Sequence, residues 1–234
     1  MPVTRMLEYA LMISNQKDNY AKINTFKNSV FNKMRYDNPP DPYQTIEINP
    51  QSVEFILPNR EFRLLNGLAQ VRTGGWDRND VAPIEKHWVV KGLTQRFEEG
   101  REWEETVYYS KLQEKEEGKK IEDICTYRDK LYEEISENGY VHGDYNSENK
   151  PDRAKRFRDY LEPLVAISRD GDIILYDGKH RFTIARLLGI DIPVHVIARH
   201  KKWQLRRDTF YKKRNSNGEG CDAEVANLFN HPDL

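Results

Sequence analysis

The chain has 234 residues, of which 32% are charged, and its formal net charge is −1. This balance argues against the overall basic surface of many nucleic-acid binders, and no apolar run is long enough to predict a membrane helix. The first residues do not resemble a signal peptide, and Cys125 and Cys221 lack the spacing of metal ligands. We therefore expect reduced thiols, a cytoplasmic location and no membrane partner.

The first 42 residues predict a helical extension followed by a linker. Ile23, Phe26, Val30 and Met34 are spaced as on one face of a helix. The sequence NPPDP at 38–42 then ends any helix, because proline lacks the amide donor and restricts the residue before it.

The next segment predicts a strand at 43–49, a turn at Pro50 and a return to the core from Val53. The sequence TGGWD at 73–77 predicts a tight loop. Two interpretations of this loop are open. It is either a turn anchored by a buried Trp76 or a loop that presents Asp77 to a cleft.

The middle of the chain predicts a helical and charged insertion at about 78–126. Residues 83–97 fit a helix, and 111–123 fit an exposed loop or a solvated helix with Leu112 and Ile121 as the only apolar residues. A further helix at 127–139 ends at Asn138-Gly139. The polar stretch at 140–158 predicts a loop.

The segment 164–199 has the clearest signals in the chain. It predicts a hairpin with its turn at Asp170-Gly171, then a helix at 182–188 and a buried strand at 192–197. Eight Lys or Arg residues and interleaved aromatic residues at 199–214 fit a basic amphipathic helix. For 215–234 we expect a partly ordered tail.

The sequence YDGKHR at 176–181 joins the second strand of this hairpin to the helix. A helix N-terminus offers amide donors and a partial positive charge, and an arginine there can bind phosphate oxygens. Asp177 adds a carboxylate that could hold magnesium or orient His180. On the residues alone, a phosphate-binding turn and a plain turn with surface charges both remain possible.

The succession of strand, G-x-x-R, helix, L-G and I-P-V resembles the ParB/sulfiredoxin-like superfamily. The resemblance covers the C-terminal half well and residues 45–77 loosely. It implies an α+β fold with a mixed sheet and flanking helices, in a domain at 43–214. It also implies a site for nucleotide phosphates, formed by Gly178, Lys179, His180, Arg181 and Thr183.

Differences within the motif separate the chain from two members of that superfamily. Lys179 stands where sulfiredoxin has its catalytic cysteine, and His180 and Thr183 stand where ParB has arginines. Locally the motif is most similar to the D-G-H-H-R of the archaeal free serine kinase, whose base is a glutamate after the first strand. Glu54 and Glu61 lie in the comparable region. The chain also resembles archaeal proteins that share G-x-W-D and a W-E-x-T stretch, here at 103–106.

The resemblance implies a nucleotide-binding phosphotransferase or hydrolase that uses ATP or ADP, or CTP, with Mg²⁺ at Asp177 and a small-molecule acceptor. The candidate catalytic residues are Asp177, His180, Asp77 and Glu54. One alternative is a nucleic-acid-binding or nuclease-like module, suggested by the basic residues at 153–158 and 199–214 but not favoured by the net charge. The other is a non-catalytic nucleotide-binding regulator. The remaining histidines do not predict a cluster by their spacing.

Overall fold

The computed structural model describes residues 3–57, 64–116, 118–141, 161–215 and 230–234. Within these ranges the chain forms a mixed seven-stranded sheet with flanking helices, so the predicted α+β class is confirmed. The helices are α1 (Val3–Lys33), α2 (Trp76–Asn79), α3 (Trp88–Phe97), α4 (Val107–Gln113), α5 (Gly118–Asn138), α6 (Lys179–Leu188) and α7 (Lys201–Asn215). The strands are β1 (Thr45–Ile48), β2 (Phe55–Ile56), β3 (Gln70–Arg72), β4 (Ala82–Pro83), β5 (Leu164–Ile167), β6 (Ile173–Asp177) and β7 (Ile192–His200).

The long strand β7 organises the sheet, whose order is β1-β7-β5-β6-β2-β4. One edge of β7 pairs with β1 antiparallel along its first half and with β3 parallel along its second half. The other edge pairs with β5 parallel. All nine residues of β7 are buried, as expected of a strand with neighbours on both sides and helices over the sheet.

The predicted helical and charged insertion at about 78–126 packs against the rest of the protein, and α5 runs past its predicted end to Asn138. In α3, α4 and α5 the side chains of Leu93, Leu112, Ile121 and Ile135 share one apolar core, which also contains Ile184 of α6. The segment 111–123 is neither one exposed loop nor one solvated helix, because it comprises the end of α4, a turn at 114–116 and the start of α5. Its two apolar residues are buried and join the insertion to the helix that follows YDGKHR.

The last described residues, 230–234, lie against α7 and the end of β7. The Asp233 carboxylate is buried between Arg199 and Arg207 and accepts a hydrogen bond of 2.8 Å from Trp203 Nε1. Two of the eight cations predicted to form a basic helix surface therefore share one carboxylate inside the protein.

Candidate functional site

The turn between β6 and α6 depends on Gly178. This residue has φ 76°, in the left-handed region, and a Cβ at its position would come within 2.7 Å of Pro163 Cα. Only glycine accepts this combination without strain. The first helical bond runs from Phe182 N to Gly178 O at 3.1 Å, so the amides of residues 179–181 have no acceptor within the helix.

His180, the second residue of α6, is joined to the insertion by a short hydrogen-bonded chain. Its Nε2 lies 3.0 Å from the Tyr108 hydroxyl, and Arg128 Nε donates to the same hydroxyl at 3.1 Å. The Tyr108 ring also meets the imidazole edge to face at 5.7 Å between centroids. Helices α4 and α5 thus hold the ring of His180 from one side.

A second histidine belongs to the same cluster. His87 precedes α3 and caps it, because its Nδ1 accepts a hydrogen bond of 3.3 Å from Val89 N. Its ring stacks on Trp88, which in turn stacks on Tyr108. Lys115 Nζ lies 5.3 Å from the centre of the Trp88 ring.

Both histidines of this cluster are held neutral. Burial, followed by the charges of Arg128 and Lys179, lowers the pKa of His180 well below its ordinary 6.5. Burial and the charge of Lys179 lower the pKa of His87 to about 4. Burial likewise raises the pKa of the Tyr108 hydroxyl, which therefore stays protonated near neutral pH. The site at the start of α6 thus combines neutral imidazoles with the fixed cations Lys179 and Arg128.

The side chain of Arg181 points into the protein. Its guanidinium donates to Leu161 O at 2.8 Å and pairs with Glu162 Oε2 at 3.3 Å. The Tyr140 hydroxyl donates to the same carboxylate at 2.6 Å and accepts from Arg181 at 3.3 Å. His195 Nδ1 in turn accepts from Glu162 N at 3.1 Å. Arg181 thus joins α6 to the segment before β5, and its guanidinium is committed to the chain itself.

The other members of the predicted phosphate turn have contacts within it. The hydroxyl of Thr183 is fully buried and donates to Lys179 O at 2.6 Å. Lys179 Nζ donates to Tyr176 O at 2.9 Å, and Asp177 Oδ1 accepts from Gly178 N at 2.9 Å. Asp177 and Lys179 remain half-buried at the surface of the turn, whereas Thr183 does not reach it.

The structure does not bring Asp77 and Glu54 to this site. Asp77 is buried and binds Arg169, just after the end of β5, through both carboxylate oxygens at 2.6 and 2.8 Å. The backbone of Glu54 precedes β2, level with the start of β6. Asp177 ends β6 and lies about 13 Å away along the strand. Trp76 is also buried, so TGGWD has the geometry of the anchored turn. Glu61, Cys221 and the basic loop at 153–158 lie outside the described residues.

Four residues of the site were missed from the sequence: His87, Tyr108, Arg128 and Glu162. Tyr108 and His180 are 72 positions apart, and no local pattern predicts that they meet. The W-E-x-T stretch was the one available signal. Its Thr106 caps α4 through a hydrogen bond to Tyr109 N, and its Trp103 is buried, which sets the position of Tyr108.

Comparison with known proteins returns no match: no family model fits the chain, and no curated protein or solved structure is similar to it. Among the described residues, no three His, Cys, Asp or Glu side chains lie together as a metal site. Of the helices in the described ranges, none has the length and apolar character needed to cross a membrane.

Proposed function

We propose that the protein binds the phosphates of a nucleotide at the first turn of α6 and transfers or hydrolyses a phosphoryl group there. The observation that carries this proposal is the neutral His180, placed beside Lys179 and Arg128 immediately after the left-handed Gly178. A helix N-terminus with cations around it attracts phosphate oxygens.

In this proposal the amides of Lys179, His180 and Arg181 bind the phosphates, and the Lys179 ammonium adds a charge. The guanidinium of Arg181 has a positioning role instead, because it fixes the first turn of α6 to Glu162 and Leu161. This assignment keeps Lys179, His180 and Arg181, moves the contact of Arg181 from its side chain to its backbone, and leaves out Thr183, whose hydroxyl is buried.

The hydrogen-bonded chain behind His180 determines which nitrogen carries its proton. In this proposal the Tyr108 hydroxyl, which accepts from Arg128, donates to His180 Nε2, and the imidazole proton lies on Nδ1. A neutral imidazole of this kind donates a hydrogen bond to developing negative charge. We therefore assign to His180 the role of donor to a phosphoryl oxygen.

Magnesium fits this site as an ion that arrives with the nucleotide. Mg²⁺ is commonly held by one or two carboxylates together with phosphates and water, and Asp177 supplies one carboxylate at the end of β6. When bound, the ion would neutralise charge on the phosphates. The chain's own contribution is the half-buried carboxylate, which its bond from Gly178 N holds at the turn.

Isothermal titration calorimetry with ATP, ADP and CTP in the presence of Mg²⁺ tests the proposal. We expect one of these nucleotides to bind, and Lys179→Ala to weaken its affinity about tenfold, the value of one charge-assisted hydrogen bond. Lys91→Ala, which removes an exposed lysine from α3, is the matched control and should have no effect. If all three nucleotides fail to bind, the proposal is overturned.

Turnover distinguishes the enzyme from a regulator. Release of phosphate or labelling of an acceptor supports phosphoryl transfer, whereas tight binding without either supports a non-catalytic nucleotide sensor. The acceptor is best sought by screening small hydroxyl compounds with radiolabelled nucleotide.

Nucleic-acid binding is the second candidate, and the exposed lysines of α7 are the observation in its favour. Lys201, Lys202 and Lys212 are exposed there. Arg199 and Arg207 are buried against Asp233 and do not contribute to that surface. A gel-shift titration with duplex DNA at low salt tests this candidate, which is rejected if no complex forms.

A further inference from the structure

Helix α1 binds the rest of the protein through its polar face. Three asparagines at intervals of four residues donate to the backbone of the segment at 65–69: Asn24 to Leu65 O, Asn28 to Asn66 O and Leu68 O, and Asn32 to Ala69 O, all at 2.8–2.9 Å. Between them, Thr25 Oγ1 accepts from Leu68 N at 2.9 Å.

This contact is close enough to hold the helix in one orientation. A Cβ on Gly67 would come within 2.3 Å of Thr25 N, so the two backbones touch. Ala21, Thr25 and Asn32 are buried by it. Because the polar face points inward, the opposite face of α1 is fixed toward the outside.

That outer face carries the large apolar side chains. We call it the apolar stripe of α1, and within the described side chains it consists of Tyr20, Ile23, Phe26, Val30, Phe31 and Met34. Phe26 is 70% exposed and Met34, just after the helix, 78%. The helix-spaced set predicted from the sequence is thus real, but it faces solvent instead of the core.

We propose that the apolar stripe of α1 is the interface with a second copy of this chain. Given that an aromatic side chain alone carries 150–250 Å², the six side chains expose on the order of 700 Å². Two stripes facing one another would bury about 1,400 Å², which is the size of a specific protein interface. The largest apolar patch on a typical monomer is about 300–600 Å².

Spacing and charge both suit self-association. Apolar residues at spacings of three and four positions form one line along a helix. Two helices pair when such a line on one packs against the same line on the other. The net charge of −1 leaves no long-range repulsion between copies. A two-fold interface of this kind uses the same stripe twice, so each substitution removes two side chains from the complex.

Sedimentation velocity of the full chain over a range of concentrations tests the proposal. We expect a dimer, and the double variant Phe26→Ser with Val30→Ser should weaken its dissociation constant about 100-fold or more. The control is Leu205→Ser on α7, which removes a side chain that is 49% exposed but lies outside the stripe. This control should leave the dimer unchanged.

Hydrogen–deuterium exchange provides a second measurement that does not depend on a variant. Residues 20–34 should become more protected as the wild-type concentration rises. A wild-type monomer at all concentrations, or a dimer that survives the double substitution, overturns the proposal. So does a monomer that floats with vesicles containing phosphatidylserine, because Lys22, Lys27 and Lys33 on the same helix would then identify the stripe as a membrane contact.

Discussion

The protonation of His180 depends on the groups beside its imidazole. Burial and the cations around it make a second positive charge costly, so the ring stays neutral at pH 7. The Tyr108 hydroxyl accepts from Arg128 and lies 3.0 Å from His180 Nε2, and in the proposed arrangement it donates its proton to that nitrogen. The proposed role of this candidate catalytic residue is therefore that of a hydrogen-bond donor through Nδ1.

The first prediction concerns Tyr108→Phe, which removes this hydroxyl and keeps the ring. The imidazole of His180 should then populate both neutral tautomers, visible in its nitrogen NMR shifts, and any phosphoryl transfer should slow by about 10–100-fold. Nucleotide affinity should change little, because the amides of the turn are untouched. Tyr132→Phe, which alters a ring stacked on Phe97, is the control. An unchanged His180 spectrum in Tyr108→Phe would refute the assignment.

The second prediction separates the two reasons for a glycine at position 178. Gly178→Ala should lower the free energy of unfolding by about 2–4 kcal/mol, from its positive φ and from the approach to Pro163. Gly100→Ala meets a similar φ of 69° with no heavy atom within 4 Å, and should cost only about 1 kcal/mol. Urea unfolding measures both. An equal decrease in the free energy of unfolding for both variants would mean that the close approach to Pro163 does not contribute to the effect of Gly178→Ala.

At the scale of the elements, local signals predicted most of the C-terminal half. The turn at Asp170-Gly171, the helix after YDGKHR and the buried strand that follows all exist, with boundaries shifted by about three residues. The sequence placed the start of α6 three residues too late. Lys179, His180 and Arg181 are polar, so the apolar periodicity that identifies a helix begins only after them. The direction of the α1 stripe was not predictable, since spacing shows that a face is apolar but not whether anything covers it.

The packing of the last residues against α7 gives the third prediction. Asp233→Asn removes the buried negative charge that pairs with both Arg199 and Arg207. Breaking a buried ion pair lowers the free energy of unfolding by about 3–5 kcal/mol. Here residues 230–234 can also undock, which lets water reach both arginines. We therefore expect the free energy of unfolding to fall by only about 2–3 kcal/mol. Urea unfolding gives this value, and faster hydrogen exchange at 230–234 should accompany it. Asp191→Asn, at an exposed carboxylate, is the control.

At the scale of the whole molecule, the candidate site is assembled from segments far apart in the chain. His87 lies just before α3, Tyr108 on α4, Arg128 on α5 and His180 on α6. The motif could be found in the sequence because its residues are consecutive. Its partners could not, because side chains on α4 and α5 reach α6 only through the apolar core that the three helices share.

This assembly also determines how stability changes with pH. Burial lowers the pKa of His87, His180, His195 and His231. The unfolded chain therefore binds more protons than the folded one below about pH 6.5, and stability falls as the pH falls.

The carboxylates of Asp77 and Asp233 change the stability at lower pH. Burial raises their pKa, but the bonds from Arg169 and Arg199 prevail, and the net shift is below 3.8. Their contribution is therefore lost only below about pH 4.

The fourth prediction measures the contribution of one histidine, His87, to this pH dependence of stability. His87→Asn keeps a side chain that can cap α3 but cannot titrate. The pKa of His87 is about 4 in the folded protein against an ordinary 6.5, so the wild type should lose up to about 3 kcal/mol more than the variant between pH 7 and pH 4. Urea unfolding of both proteins across this range measures the difference. Parallel stability curves would show that His87 titrates alike in the folded and unfolded chain, and that burial and the charge of Lys179 do not hold it neutral.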